Sequence, residues 1–213
     1  MIIGLLGFAG SGKGTVADIL VSKGFKKESF ADPVKDAVAA IFGWDRSLLE
    51  GDTKESREFR ETKDDWWSYH FGYEVTPRLM LQKMGTEAGR DSFHPDVWIA
   101  SLENRMKKNE HTVIADVRFP NECDMIRENG GFLVRVSRGK DPEWWEDAKE
   151  TEKFGVKMMP RNPNIHYSEW AWANQECNYV ISNDGTLLML ESDVKHMLKI
   201  FFGPAIMNTQ MVN

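Results

Sequence analysis

Cysteine is scarce. Cys123 and Cys177 are the two in 213 residues, and no CxxC pair occurs. A disulfide framework or a cysteine-built zinc site is therefore not expected, and a reducing cytoplasm fits. The five histidines show no zinc spacing, and no His/Cys or Ser/His/Asp arrangement suggests hydrolysis. No apolar run approaches 18 residues, so no membrane partner is expected. Met1-Ile2-Ile3 leads straight into a glycine loop, which argues against a signal peptide. Positive charge is also short: 27 basic against 33 acidic residues leave a net charge of −6. That balance argues against stable binding of long nucleic acid, whose partners are usually basic. Small anionic ligands remain, because a site can be locally positive in an acidic protein. Repeats and low-complexity segments are absent. Apolar content of 41% suffices for one α/β domain with a sizeable core.

What is present begins at residue 7. Gly7-Phe8-Ala9-Gly10-Ser11-Gly12-Lys13-Gly14-Thr15 follows the apolar run Ile2-Ile3-Gly4-Leu5-Leu6. It precedes a helical pattern with Val16, Ile19 and Leu20 at i, i+3 and i+4. Strand, glycine loop and helix in that order form a phosphate cradle. Glycines let backbone N–H groups turn inward, the helix N-terminus adds partial positive charge, and Lys13 reaches the β/γ-phosphates. Gly10, Ser11, Gly12, Lys13, Gly14 and Thr15 are the candidate ATP-binding residues. The strict motif places Ser or Thr directly after the lysine. Here Gly14 stands there and Thr15 follows, a variant similar to that of small nucleotide kinases such as adenylate kinase.

Five apolar segments alternate with helical patterns, which predicts βα units and a parallel sheet. The expected strands are 2–7, 25–30, 112–116, 132–137 and 178–182. Gly24 is expected to close the first helix. Asp32-Pro33 and Thr76-Pro77 each read as N-cap plus first helical residue. Asn183-Asp184-Gly185 reads as a turn before a last helix over 187–202, and the tail after Gly203-Pro204 is expected to fray. The fold class is α/β, and the glycine loop makes it similar to P-loop NTPases, which implies three layers around a five-stranded parallel sheet of order 2-3-1-4-5. About 80 residues separate the second strand from the third and about 40 the fourth from the fifth, too many for simple loops. The chain reads as a single domain with core 1–44, 110–138 and 178–203. A helical acceptor-binding insertion covers about 45–109 and a lid about 139–177. This plan is similar to that of nucleoside monophosphate kinases, where one insertion holds the acceptor and the other closes over the phosphates.

Several charged residues fit that plan. Asp116 ends the third strand, where an acid orients a magnesium shell, here through water because Gly14 removes the hydroxyl ligand. Helix capping is its bland alternative. Arg118, two residues on, could neutralise transferred charge, or pair on the surface with Glu122 or Asp124. Arg138, at the end of the fourth strand, is the preferred cation of the second insertion, ahead of Lys140 and Arg161. In the first insertion Arg57 and Arg60 share a helix face. Arg78, Gln82 and Arg90 follow Thr76-Pro77, and Lys35 sits one turn after Asp32. Most charge over 45–65 reads as a solvated face. Eight tryptophans could stack on a base but more often pack insertions onto a core. Thr62-Lys63-Asp64-Asp65 matches a guanine-reading motif by letters. It precedes the Asp116 strand and is read as chance.

An ordered set of landmarks spans nearly the whole chain. After the glycine loop come Ser29-Phe30-Ala31-Asp32-Pro33-Val34-Lys35 and Leu81-Gln82-Lys83-Met84-Gly85-Thr86-Glu87-Ala88-Gly89-Arg90. Ala115-Asp116-Val117-Arg118 with Asn121-Glu122, His166-Tyr167-Ser168-Glu169 and Asn183-Asp184-Gly185-Thr186 follow. In this set the chain resembles bacteriophage deoxynucleoside monophosphate kinases and, more distantly, phosphomevalonate kinases of animal type. The resemblance implies ATP and Mg²⁺ as cofactors, small nucleotide substrates and a homodimer. It implies that Lys35, Gln82, Thr86 and Arg90 lie near the acceptor, with Asp32, Arg57 and Arg78 as further candidates. Asp116 and Arg118 are implied near the reacting phosphates, with Lys13 and Arg138 completing the catalytic set. Many relatives carry an acid after the loop lysine, and Gly14-Thr15 stands there instead. Kinases of hydroxymethylated bases in DNA, phosphomevalonate-type acceptors and a nucleotide-binding switch remain as alternatives.

Overall fold

The apolar pentad Ile2–Leu6 is buried at every residue and forms β1, the middle strand of a five-stranded sheet. The computed structural model describes residues 1–106 and 110–203, so the tail from Pro204 lies outside the described residues. After β1 come α1 (Lys13–Val21), β2 (Lys26–Glu28), α2 (Asp32–Phe42), a 3-10 turn at Arg46–Leu49, α3 (Lys54–Glu61) and α4 (Asp65–Phe71). Then α5 (Pro77–Lys83) runs into a π-helix at Met84–Phe93, followed by α6 (Val97–Arg105), β3 (Thr112–Ile114), α7 (Pro120–Glu128) and β4 (Phe132–Ser137). The last elements are α8 (Trp145–Glu152), a 3-10 turn at Tyr167–Glu169, β5 (Tyr179–Ser182) and α9 (Leu187–Phe202).

The strands run parallel in the order β2-β3-β1-β4-β5, as expected. Ile3 and Leu5 of β1 join Val16 and Leu20 of α1 and Leu190, Val194 and Met197 of α9 in one buried cluster. Successive strand residues point to opposite faces. Gly4 accordingly faces the other way, toward Ile126 of α7. Helices on both faces make three layers.

Several boundaries shift from the sequence expectation. β2 is three residues long, because Ser29 turns the chain by accepting from the Ala31 N–H at 3.0 Å. β3 stops at Ile114, the last residue paired to β2, so Asp116 lies in a loop and not on a strand. Asp32 is the first residue of α2, not its cap, and Ala31 takes the cap position. Thr76 does cap α5, accepting from the Leu79 N–H at 3.2 Å. Both cysteines are free.

The chain divides into two compact units, one from Met1–Glu28 with the described part of 106–213, the other from Ser29–Arg105. The second has its own core of Val38, Leu49, Val75 and Met80, flanked by Phe42, Trp44, Phe59 and Trp67. Two indoles lock it: Trp44 Nε1 donates to Asp64 at 2.8 Å and Trp67 Nε1 to the Phe42 carbonyl at 3.1 Å.

Candidate active site

In the first unit the loop between β1 and α1 is shaped by glycines with positive φ. Gly12, at φ 100°, sits at the N-cap of α1 and brings no side chain to occupy the helix N-terminus. The first turn of α1 carries no acidic residue, and Gly10, Gly14 and Thr15 are exposed there. Uncapped N–H groups at the start of a nine-residue helix suit an anion. Lys13 Nζ folds back onto its own loop, donating to the carbonyls of Gly7 at 2.6 Å and Phe8 at 2.8 Å. Burial and the nearby Arg118 charge pull its pKa down to about 8, with Glu169 and Asp116 opposing them. Ser11 Oγ is buried and finds no hydrogen-bond partner among the described residues. An orphaned hydroxyl and a folded lysine inside a cradle of N–H groups fit a phosphate chain.

Asn183 holds this loop in place. Its Nδ2 donates to the Ser11 carbonyl at 2.9 Å, and its own N–H donates to Ser137 at the end of β4 at 2.8 Å. A Cβ on Gly12 would overlap the Asn183 amide. Beside it, Asp184 accepts from the Gly139 N–H at 2.6 Å and from Ser182 Oγ at 2.8 Å. Those two hydrogen bonds and the Arg138 charge keep its carboxyl below the usual range. The Asn183-Asp184 turn thus has a task that its turn-like composition did not reveal. Arg138 is exposed beside it.

Phe8 is the loop's apolar anchor. Its ring lies 5.6 Å from Trp144, 4.8 Å from Trp145 and 5.1 Å from Trp172. The Arg135 guanidinium stands within 6 Å of three of these rings, 5.9 Å from Phe8 and 5.5 Å from Trp145 and Trp172, and pairs with Asp141. These tryptophans pack the 139–177 segment against the loop rather than presenting free faces for a base. Trp66, by contrast, is 58% exposed and stacks on His70.

Asp116 and Arg118 lie in the loop after β3, within the electrostatic reach of Lys13. Glu122 shapes that loop by accepting from the N–H groups of Arg118 at 2.7 Å and Phe119 at 3.1 Å, thereby capping α7. The Arg118 side chain pairs with Glu169 at 2.8 Å. Asp124, the other partner considered for it, pairs with Arg127. Burial works against the Arg118 charge, but Glu169, then Asp116 and Glu122, hold its pKa above the ordinary arginine value. No cluster of three or more His, Cys, Asp or Glu fit to cage a metal occurs among the described residues. Asp116 beside a phosphate cradle, with no hydroxyl at position 14, suits a magnesium ion carried mainly by phosphates and water.

The second unit gathers the expected acceptor residues in two groups. Asp32 and Lys35 join an ion network with Asp36, Arg46 and Glu50. Lys35 Nζ lies 2.6 Å from Glu50 and 3.6 Å from Asp32, while Arg46 reaches Asp32 at 3.3 Å, Asp36 at 2.6 Å and Glu50. Sequence reasoning missed Arg46 and Glu50, which sat in a stretch read as a solvated face. Gln82 lies in the last turn of α5, and Thr86 and Arg90 lie one after the other along the π-helix, with Arg90 Nη1 donating to the Pro95 carbonyl at 3.1 Å. Trp98 braces this helix through Nε1 to the Gly85 carbonyl at 2.8 Å, its ring so close that Gly89 has no space for a Cβ. Arg57 and Arg78 are engaged around α3, with the Asp52 carbonyl at 2.8 Å and with Glu61.

A glycine loop after the central strand of a parallel 2-3-1-4-5 sheet, with a half-buried lysine and an Asp-x-Arg loop within its electrostatic reach, defines a P-loop kinase fold. No protein-family model matches the chain. A protein of Acanthamoeba polyphaga mimivirus, provisionally named a deoxynucleotide monophosphate kinase, is 40% identical over 155 residues, covering 65% of this chain and 74% of that one. The deoxynucleoside-5′-monophosphate kinase of Escherichia phage T5 is 28% identical over 180 residues, covering 60% of this chain and 72% of its own. Among solved structures, dephospho-CoA kinase from Campylobacter jejuni aligns at a TM-score of 0.39 with 14% identity, over 94% of this chain and 96% of that one. The chain belongs to the deoxynucleotide monophosphate kinase family.

Proposed function

We propose that this protein transfers the γ-phosphoryl group of ATP to a deoxynucleoside 5′-monophosphate. An oxygen of the acceptor phosphate bonds to the γ-phosphorus as the bond to the β–γ bridging oxygen breaks, leaving ADP and a deoxynucleoside diphosphate. The observation that carries this reading is Lys13 held inside the glycine loop with Asp116 and Arg118 within its field. A monophosphate acceptor is already deprotonated at pH 7, its second pKa being about 6, so the site needs no general base. It needs cations that hold two anions in line. Lys13 would bridge the β- and γ-phosphates as the α1 N-terminus binds the chain. Arg118 and Arg138 would stabilise charge on the transferred group. Lys35 and Arg90 would clamp the acceptor, with Asp32, Gln82 and Thr86 beside them and Arg57 and Arg78 in supporting positions. Asp116 would hold a hydrated Mg²⁺, which when bound neutralises phosphate charge.

No helix among the described residues is long and apolar enough to cross a membrane, and the relatives are viral. We place the activity in the host cytoplasm, supplying precursors for viral DNA synthesis. The test is ATP with each common deoxynucleoside monophosphate, read by product mass. The expected result is acceptor-dependent ADP and one or more diphosphates. Background ADP release on every acceptor overturns the substrate class, and label appearing in DNA instead would point to a base kinase.

A further inference from the structure

The His166-Tyr167-Ser168-Glu169 segment has no part in the reaction above, yet its last residue reaches the site. Glu169 Oε1 accepts from Arg118 Nη1 at 2.8 Å across 51 positions of chain. The two side chains are 28% and 41% exposed. An exposed ion pair between mobile side chains contributes little, about 0–1 kcal/mol. The main chain that carries this carboxylate is held on both sides. The Glu169 N–H donates to the His166 carbonyl at 3.0 Å, and its own carbonyl accepts from Trp172 Nε1 at 3.1 Å. The adjoining Trp170 is fully buried, with Nε1 donating to the Ile165 carbonyl at 3.3 Å. His166 Nδ1 and Ser168 Oγ close the turn at 2.8 Å. Tyr167 packs on Phe119, the residue next to Arg118, at 5.9 Å between rings. The turn is therefore anchored on the same short loop that carries the arginine.

A long arginine on a loop has many rotamers, and catalysis by a cation gains most when its direction is fixed before the charge develops. We infer that Glu169 is the positioning residue for Arg118: the carboxylate, carried on an anchored turn, accepts a guanidinium N–H and so orients the planar group toward the phosphoryl group in transfer. This rests on the role assigned to Arg118 in the proposed function. Glu169 also lies within the field of Lys13, so one carboxylate acts on both Lys13 and Arg118.

A double-mutant cycle tests it. Wild type, Glu169→Gln, Arg118→Ala and the double variant are compared for kcat and for KM of ATP, with folding checked by thermal melts. Glu169→Gln is expected to lower kcat about tenfold to hundredfold with little change in the KM of ATP. In the Arg118→Ala background the same change should cost about twofold or less. An equal loss in both backgrounds marks a merely structural carboxylate and overturns the inference, as does an unchanged kcat in the single variant. A second arm needs no acceptor: ¹⁵N NMR of the arginine side chains in the ligand-free wild type, with Arg118 assigned by Arg118→Lys. A restrained guanidinium that becomes freely rotating in Glu169→Gln supports the pairing. A freely rotating Arg118 in wild type overturns it, even where the variant does not fold. If wild type turns over no monophosphate, the substrate reading falls, and the NMR arm still decides between these outcomes.

Discussion

Asn183 donates to the carbonyl of Ser11 at 2.9 Å, tying the turn after β5 to the glycine loop after β1 across 172 positions of chain. Replacing Asn183 by Asp removes the donor and sets a negative charge against the phosphate cradle. The expected result is a rise in the KM of ATP of about tenfold or more, with the KM of the acceptor nearly unchanged, from the loss of a hydrogen bond worth about 1 kcal/mol plus repulsion. Initial rates over a matrix of both substrates check it. Gly12→Ala should be harsher still, because its Cβ meets the same amide and its φ of 100° disfavours alanine.

Lys13→Met keeps the stem of the side chain and removes the ammonium. A loss of about 10²–10³ in kcat is expected with the melting temperature preserved, in keeping with removal of one preorganised donor to developing charge. Single-turnover assays on a folded sample measure it.

The position of Lys13 also sets a pH dependence. Burial and Arg118 bring its pKa down to about 8, so the ligand-free enzyme loses the cation as pH rises through 8. The quotient kcat/KM for ATP, which reports the free enzyme, should fall above pH 8. Bound phosphates favour the charged form, so the matching fall in kcat should come at higher pH. Stability moves the other way. Between pH 8 and the ordinary lysine value of 10.5 the unfolded chain binds more protons, so this group makes the ligand-free fold more stable as pH rises. A rate profile and melts across pH 7–10 separate the two.

Lys35 tests the acceptor side. It lies 2.6 Å from Glu50 in a network shared with Arg46. Lys35→Met should raise the KM of the monophosphate about tenfold or more and leave the KM of ATP within about twofold. An equal rise in both constants would count against an acceptor role.

Gly89 lies under the Trp98 indole with no space for a methyl group. Gly89→Ala should destabilise the protein by about 1–3 kcal/mol through overpacking. It should also raise the acceptor KM, because Trp98 braces the helix that carries Thr86 and Arg90. Urea unfolding and acceptor kinetics check both parts.

What sequence can disclose about this molecule follows from how local each feature is. The β1–loop–α1 unit is contiguous, and its glycines, lysine and helix pattern each constrain the same few residues, so it is readable directly. The parallel βα sheet is likewise legible from five alternating apolar segments, while its strand order follows from the resemblance to P-loop kinases. The partner of Arg118 is not, because Glu169 is distant in sequence and no periodicity links the two. The place of Asp116 beyond β3 depends on where the short β2 stops pairing, a tertiary fact. The π-helix at Met84–Phe93 differs from an α-helix only by a slower turn, which apolar spacing over ten residues does not resolve. Arg46 and Glu50 hid in a charged run because solvated and networked charges have the same composition.

The ring of Phe8 belongs to the glycine loop, and three indoles pack around it. Indole emission responds to the charge and polarity around it, so the protein carries its own optical gauge of events at that loop. On the function proposed above, arrival and departure of a nucleotide should be timed in the unlabelled chain by following the native ultraviolet glow as ligand is mixed in.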